Sequence, residues 1–261
     1  SKDINSTHHI YKTKKISLSE ITNIIELLDE PIIDTAIFTS FQLSKLAKKN
    51  NVKVILTGAG GDELFGGYIR YFQNFRNFIY NLIKVPNILI KIIIKLNFYK
   101  LSNFLLMSKY KVLRYISSTS GSNLAFLYSN LKSNYFFNLI FLSIDFQKEM
   151  KLYEKKFGIT KSKMIFDLNN YLPDNILAIA DKTTMLHSIE GRFPFLDNDI
   201  LNMVLSNKFK DYKFKSMLKA SFIGILPDKI IQRSKRGFNI PTEVIINDIE
   251  KINIKNEILN S

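Results

Sequence analysis

The residues best suited to chemistry in this chain are concentrated in 52–71, VKVILTGAGGDELFGGYIRY. An apolar run there leads into residues 57–61 (TGAGG), and two adjacent acids, Asp62 and Glu63, follow. Amide groups at the start of a following helix can point at an anion, and glycines let the backbone approach a ligand closely. Because the acids would repel a bare phosphate, the pattern predicts that a divalent cation such as Mg²⁺ lies between a carboxylate and the phosphate oxygens.

The same stretch has a simpler interpretation. An ordinary glycine turn followed by a helix with two acids in its first turn would have the same letters, and short glycine motifs match often. Both interpretations predict a buried strand, a tight turn and a helix start, which is where open α/β sheets bind ligands.

A second ordered block covers 172–205, LPDNILAIADKTTMLHSIEGRFPFLDNDILNMVL. Its apolar spacing predicts a helix that starts near Pro173 and ends at Gly191, followed by an extended segment. Asp197 is then expected to cap a helix over 198–205. Asp181 lies close to the apolar face, where a plain surface residue is one interpretation, and His187 is expected to be structural.

The last ordered block spans 214–241. Its pattern predicts a helix over 215–226, a short helix over 229–233, and then the loop 234–241, SKRGFNIP. Lysine or arginine beside a glycine can clamp a phosphate. For this loop alone, a solvated basic loop is the alternative.

The remaining pattern indicates an α/β protein. Helices are predicted over 17–28, with Ser17 or Ser19 as the N-cap, and over 38–49, just before the strand that begins at Val52. A strand flanked by helices favours a parallel sheet.

The apolar stretch 75–116 does not fit a membrane span. Lysines at 84, 91, 95 and 100 and Pro86 interrupt every candidate window, whereas a span needs about 20 mostly apolar residues. Amphipathic helices packed on a domain are predicted instead, and further helix with core aromatics is predicted over 123–157.

Composition excludes several classes of protein. The 261-residue chain contains no cysteine, which excludes disulfides and a cysteine nucleophile on this chain. Its net charge of +14 invites a nucleic-acid interpretation, but the lysines are dispersed along the chain and form no basic patch, so nucleic-acid binding is disfavoured. The first twelve residues have no apolar core and are not a signal peptide.

In this order, TGAGGDELFGGYIRY, LPDNILAIADKTTMLHSIEGRFPFLD and LPDKIIQRSKRGFNIP resemble the synthetase domain of the asparagine synthetase (glutamine-hydrolysing) family. The resemblance extends from 7–9 to about Pro241, essentially the whole chain. It implies an α/β fold: a partial parallel-sheet ATP-pyrophosphatase domain, adenine nucleotide alpha-hydrolase-like, with a largely helical C-terminal portion.

The resemblance also implies an ATP-dependent ligase that uses Mg²⁺. Members of the family adenylate a carboxylate, release pyrophosphate and let an amine attack the acyl-adenylate. In the asparagine enzymes, the carboxylate belongs to aspartate and the amine is ammonia from glutamine. A cytoplasmic enzyme without a membrane span or nucleic-acid partner is expected, and homodimer formation is left open.

Site residues follow from the same resemblance by motif. Asp62 corresponds to the Mg²⁺ ligand, and Lys235 to the cation that stabilises charge developing during adenylation and amide formation. The residues that correspond to nucleotide-binding or site-ordering positions are Thr57, Gly58, Gly60, Gly61, Tyr68, Asp181 and Arg192.

This sequence departs from the family pattern at two points. Ala59 stands where asparagine synthetases usually have a glutamate that assists amide formation, and alanine cannot transfer a proton. The pyrophosphate-binding loop and the glutaminase domain are also missing from residues 1–261, so we expect an incomplete enzyme that is inactive alone. The glutaminase domain is expected upstream or on a separate chain.

These departures keep two alternatives open. Ala59 favours a relative that amidates another carboxylate, for example on a cell-surface sugar or a peptide. The missing loop instead favours a non-catalytic homologue that acts as an interaction module.

Overall fold

The computed structural model describes residues 6–11, 16–28, 34–72, 79–80, 82–96, 98–109, 114, 148–206 and 213–233. The α-helices and strands of this part are α1 (Leu18–Glu26), α2 (Ala36–Lys49), β1 (Val54–Leu56), α3 (Gly61–Leu64), α4 (Asn87–Lys95), α5 (Tyr99–Lys109), α6 (148–157), α7 (Ile159–Asn169), α8 (Ala178–Met185), β2 (Glu190–Arg192), α9 (Asn198–Ser206), α10 (Ser216–Ser221) and α11 (Asp228–Ile231). Short 3₁₀ segments cover Ile69–Tyr71, Pro194–Leu196 and Lys213–Lys215, and a π-helical segment covers Leu172–Leu177.

The chain divides into two compact units. The first unit contains 1–61, 172–211 and 216–261, and the second contains 62–171 and 212–215. Among the described residues, the structure combines many helices with one small parallel sheet, which is consistent with the α/β class that the sequence predicts.

A parallel pair of strands organises the first unit. Val54 pairs with Glu190, and Leu56 pairs with Arg192. The expectation of a buried strand was wrong: Val54 and Leu56 are exposed, because the described sheet has only two strands. The chain between β1 and β2 is long, as parallel strands require, because they cannot be joined by a tight hairpin. Helices α2 and α8 pack on each other and contribute Ile37, Phe38 and Ile179 to the apolar core of this unit.

Helix α1 shows how local sequence determines an element boundary. The Ser17 Oγ accepts a hydrogen bond from the Glu20 amide at 3.2 Å, and the Glu20 carboxylate accepts one from the Ser17 amide at 3.2 Å. This reciprocal capping box satisfies two amides that a helix start otherwise leaves unpaired. Of the two expected candidates, Ser17 is the N-cap and Ser19 is not, and Ile21 and Ile24 face the core behind it.

The second unit is organised around a buried carboxylate. Asp167 on α7 is fully buried, and its Oδ2 accepts hydrogen bonds from the Arg70 guanidinium at 2.5 and 3.0 Å and from the Tyr71 hydroxyl at 2.6 Å. The Arg70 guanidinium also stacks on the ring of Tyr68 at 3.8 Å and of Tyr171 at 4.9 Å. A buried charge persists only when it is paired and hydrogen-bonded in this way.

This network shifts the pKa values of its members. Burial would lower the pKa of Arg70, but the Asp167 carboxylate raises it, and the net direction is upward. Burial, and next the charge of Asp167, raises the pKa of Tyr71 well above its ordinary value. Both shifts favour a charged Arg70 and a protonated Tyr71.

The apolar stretch predicted to be amphipathic contains α4 and α5, which pack on each other. Ile90 and Ile94 of α4 are buried, while Ile88 and Ile92 of the same helix are exposed. None of the helices among the described residues combines the length and the apolarity that crossing a bilayer would require.

Several elements differ in their bounds from the sequence expectation, mostly by one to three residues. The helix expected to end at Gly191 ends at Met185, because a turn with Ser188 in the left-handed region follows and Gly191 lies within β2. The helix expected over 215–226 begins at Ser216, because the backbone at Phe214 and Lys215 is left-handed, and it ends at Ser221. Of the helix expected over 123–157, only 148–157 lies within the described residues.

We predict that Asp167→Ala destabilises the protein by about 3–5 kcal/mol, because it leaves the largely buried Arg70 guanidinium without its carboxylate. Chemical denaturation followed by circular dichroism measures the loss. Asp174→Ala, which removes an exposed carboxylate, is the matched control and should change the free energy of unfolding by less than about 0.5 kcal/mol. Equal losses for the two variants would contradict the proposed importance of the buried ion pair.

Candidate functional site

The turn that follows β1 is held by hydrogen bonds of its own backbone and of β2. The Thr57 amide donates to the Arg192 carbonyl at 2.9 Å, which extends the parallel ladder by one residue. The Thr57 hydroxyl accepts from the Ala59 amide at 3.3 Å, and the Gly61 amide donates to the Gly58 carbonyl at 3.2 Å. The structure therefore brings Thr57 and Arg192 together, where both parallel strands end.

The three glycines of this turn have different surroundings. Gly60 has φ +83°, and a Cβ on it would collide with the Leu196 side chain. A Cβ on Gly61 would lie 3.0 Å from the Phe195 ring, whereas Gly58 has no neighbouring atom within 4 Å of the corresponding position. Packing against the segment Pro194–Leu196 explains Gly60 and Gly61, and Gly58 has open space beside its backbone.

Asp181 and Arg192 both present exposed side chains in the first unit. Asp181 lies in the first turn of α8. The Arg192 Nε lies 2.8 Å from the Glu190 Oε1, and this contact lowers the pKa of Glu190 and raises that of Arg192. Since the Arg192 and Glu190 side chains are each 60% exposed, this ion pair contributes little to stability. The side chains of Asp181 and Arg192 remain accessible to a ligand.

In the second unit, Asp62 pairs with a lysine that the sequence did not single out. The Asp62 Oδ1 lies 3.1 Å from the Lys215 Nζ, and about a quarter of each side chain is exposed. Helix α3, which opens with Gly61, places Asp62 and Glu63 in its first turn, where the helix dipole favours acids.

The donor set around Asp62 can be compared with the needs of Mg²⁺. Among the described residues there is no cluster of three or more acidic, histidine or cysteine side chains that could hold a metal. Mg²⁺ is commonly held by one or two carboxylates together with waters and substrate phosphates. A single accessible carboxylate therefore fits a Mg²⁺ ion that arrives with phosphates, and it does not fit a metal held by protein alone.

Tyr68 donates its hydroxyl hydrogen to the buried Glu63 Oε1 at 2.7 Å. Burial is the main cause that raises the pKa of Glu63, and the hydrogen bond from Tyr68 partly opposes it. Burial, followed by the charge of Glu63, also raises the pKa of Tyr68. The phenol is thus a hydrogen-bond donor to a buried carboxyl group, and its role at a nucleotide site stays a prediction.

The remaining predicted site residue, Lys235, lies outside the described residues. His187, expected to be structural, has its Nδ1 2.9 Å from the Thr183 carbonyl and its ring against Phe41, which supports that expectation. Sequence reasoning missed Lys215, because nothing in its local pattern distinguishes it from other lysines.

The chain matches the family model for asparagine synthase over residues 1–255. It therefore belongs to the asparagine synthase family, as the order of its sequence blocks predicts.

Curated relatives agree with this assignment. The chain is 29% identical over 234 residues to "Asparagine synthetase [glutamine-hydrolyzing] 1" of Bacillus subtilis, which covers 86% of this chain and 36% of that protein. It is 28% identical over 240 residues to "Putative asparagine synthetase [glutamine-hydrolyzing]" of Mycobacterium tuberculosis. The matched stretch covers 86% of this chain and 35% of that protein. The chain thus spans about a third of the length of these relatives, and no solved structure matches it.

We predict that Gly60→Ala destabilises the protein by about 1–3 kcal/mol, because φ is positive and the added methyl group collides with Leu196. Gly58→Ala, in open space two residues away, is the matched control and should change the free energy of unfolding by no more than about 1 kcal/mol. Urea denaturation measures both. A Gly58 variant as unstable as the Gly60 variant would contradict the packing argument.

The buried Glu63 predicts a pH dependence of stability. The native carboxyl group keeps its proton above the ordinary pKa of 4.5, so the unfolded state loses its proton first. The contribution of Glu63 is therefore fully present below pH 4.5 and is lost as the pH rises through the native pKa, by at most about 1.4 kcal/mol per pH unit. Glu63→Gln removes this loss. The free energy of unfolding of the variant, relative to that of the unsubstituted protein, should therefore increase as the pH rises.

Urea denaturation between about pH 5 and pH 8 measures the difference between the two proteins. Glu149→Gln is the matched control, because Glu149 also accepts a hydrogen bond from a tyrosine, at 3.0 Å from Tyr153, but lies closer to the surface. The difference in free energy of unfolding between the Glu149 variant and the unsubstituted protein should not change with pH. If the difference for the Glu63 variant were also constant, Glu63 would have the same pKa in the native and the unfolded state.

Proposed function

We propose that this chain forms most of the ATP-binding synthetase part of an enzyme that makes an amide bond, with an ATP-pyrophosphatase-type sheet. Membership of the asparagine synthase family over residues 1–255 supports this function. The observation that carries it is the bond from the Thr57 amide to the Arg192 carbonyl. It joins two of the predicted site residues at the carboxyl ends of parallel strands, where open α/β sheets bind ligands.

The proposed reaction has two steps. First, a substrate carboxylate oxygen forms a bond to the α-phosphorus of ATP, and the bond from that phosphorus to pyrophosphate breaks. Second, ammonia forms a bond to the activated carbonyl carbon and loses a proton, and AMP leaves with the electron pair of the broken carbon–oxygen bond. The amide, AMP and pyrophosphate are the products.

Residues of this chain would bind and orient the nucleotide. Thr57 lies at the end of β1, and the open space beside Gly58 allows a nucleotide to approach the backbone there. Asp62 would hold Mg²⁺ against the phosphates, and the ion when bound would neutralise their charge. Lys235 would place a fixed positive charge where negative charge develops, which is often the largest single contribution to catalysis.

The other site residues would define the surroundings of the nucleotide. Asp181 and Arg192 would order the site through their exposed side chains. Gly60 and Gly61 would shape the turn by admitting Leu196 and Phe195 against its backbone. Tyr68 would take part in nucleotide binding while its hydroxyl donates a hydrogen bond to Glu63.

The acceptor that we propose first is aspartate, with glutamine as the source of ammonia, in line with the names of the curated relatives. A different carboxylate is the second candidate, and Ala59 favours it. The Ala59 side chain is a methyl group, so it cannot take the proton that ammonia loses. The glutaminase would lie in the remaining length of the protein or on a separate chain, since the chain spans 36% of the Bacillus subtilis relative.

We predict that the protein at its natural length releases pyrophosphate and AMP from ATP and Mg²⁺ only when its carboxylate substrate is present. Asp62→Asn should lower this release by about 100-fold or more, because it removes the carboxylate that would bind the cation. A coupled pyrophosphate assay with aspartate and a panel of other carboxylates measures the rate and identifies the acceptor.

Asp174→Asn, a substitution of an exposed carboxylate in the π-helical segment, is the control and should leave the rate unchanged. Release with aspartate would support asparagine formation, and release with another acid alone would support the second candidate. The absence of pyrophosphate with every acid would rule out the proposed reaction.

A further inference from the structure

The pair formed by Asp62 and Lys215 joins two distant parts of the second unit. Lys215 ends the 3₁₀ segment Lys213–Lys215, and its Nζ lies 3.1 Å from the Asp62 Oδ1. The sequence resemblance assigns Asp62 to a cation, and the structure gives it a protein cation as a neighbour. A lysine ammonium and a divalent ion on one carboxylate repel each other, so the two compete.

We propose that Lys215 is a positioning residue that serves as the internal counter-ion of Asp62 and is displaced when a divalent cation binds there; this inference rests on the proposed role of Asp62. In the nucleotide-free protein, the lysine keeps the carboxylate oriented and neutralised. A divalent ion alone then binds weakly, and an ion that arrives with anionic phosphates is favoured.

Gly67 makes this pair sterically feasible. A Cβ at Gly67 would collide with the Asp62 Oδ1 and would lie 2.8 Å from the Lys215 Cε. Both side chains therefore pass directly over the bare backbone of Gly67. The Gly67 amide also donates to the Asp62 carbonyl at 2.7 Å, which closes the loop on which the pair rests.

The backbone of Lys215 is held in an unfavourable conformation. Phe214 has φ 53° and ψ 41°, and Lys215 has φ 61°, so two consecutive residues other than glycine lie in the left-handed region. Left-handed backbone is disfavoured for residues with a Cβ and persists only where surrounding contacts enforce it.

Two contacts hold this conformation. The Phe214 amide donates to the Gly66 carbonyl at 3.1 Å, and the Phe214 ring packs against Phe72 with 5.7 Å between the ring centroids. Strained backbone of this kind is often found at switch regions. Here the left-handed backbone accompanies the approach of the Lys215 side chain to Asp62.

The exposure of the pair suits a contact that must open. About a quarter of each side chain is accessible to solvent, although the Asp62 Oδ1 that faces the ammonium is itself buried. Partly exposed ion pairs are weaker than buried ones, because solvent screens them. An incoming divalent ion can therefore displace the ammonium, in contrast to the buried pair between Arg70 and Asp167.

The test measures Mn²⁺ binding to the natural-length protein without nucleotide, from the electron paramagnetic resonance signal of free Mn²⁺. Lys215→Met should raise the affinity for Mn²⁺ roughly tenfold or more, and Lys215→Arg, which keeps the charge, should remain close to the unsubstituted protein. Lys213→Met is the matched control, because the Lys213 Nζ lies 5.7 Å from the centre of the Phe214 ring in the same short segment. It should leave the affinity unchanged.

Adding Asp62→Asn to Lys215→Met should abolish the gain, which assigns it to Asp62. An affinity for Mn²⁺ that Lys215→Met does not raise would overturn the inference, as would a gain that survives Asp62→Asn. The proposed function is judged separately by pyrophosphate release. Normal release without a gain in Mn²⁺ affinity overturns this inference alone, and no release with any acid overturns the proposed function.

A second measurement uses the unsubstituted protein and does not depend on the folding of a variant. Amine-reactive labelling followed by peptide mass spectrometry compares Lys215 with Lys213 without Mg²⁺ and at Mg²⁺ concentrations high enough to saturate even a weak site. Displacement predicts that Mg²⁺ increases the labelling of Lys215 relative to Lys213. A ratio that Mg²⁺ leaves unchanged would also overturn the inference.

Discussion

The arrangement of the first unit depends on one pairing, that of β1 with β2. These strands are only three residues long each, yet they bring together two blocks that are far apart in the sequence. The pairing places the turn after Leu56 beside Arg192, and it brings the segment Pro194–Leu196 against the glycines of that turn. The geometry of the predicted nucleotide turn is thus a consequence of a non-local contact.

The sequence predicts what depends on neighbouring residues. A serine N-cap for α1, the strand before Thr57 and the amphipathic character of α4 all follow from local spacing. Family membership follows from the order of the three blocks, which local patterns alone would leave ambiguous. Gly60 and Gly61 show the limit, because their need for a bare backbone arises from Leu196 and Phe195, and no spacing rule connects these residues.

The polar interior of the second unit could not be predicted for a similar reason. Glu63, Arg70 and Asp167 are charged residues, and pattern reasoning places charges at the surface by default. Their burial is tolerated only because the three-dimensional structure supplies Tyr68 to the glutamate and joins the arginine to the aspartate. The contact between Lys215 and Asp62 could not be predicted either, because it depends on left-handed backbone that the local sequence does not indicate.

The ion pair between Arg70 and Asp167 has a consequence for how the second unit folds. Its partners lie 97 positions apart, and the entropy of closing so long a loop must be overcome before the contact contributes. Contacts of this kind slow folding relative to local ones. During synthesis, Arg70 and the neighbouring Tyr71 emerge well before Asp167, so the nascent chain must carry an unneutralised guanidinium beside exposed aromatic rings. We infer that the second unit acquires its core late, only after α7 has left the ribosome.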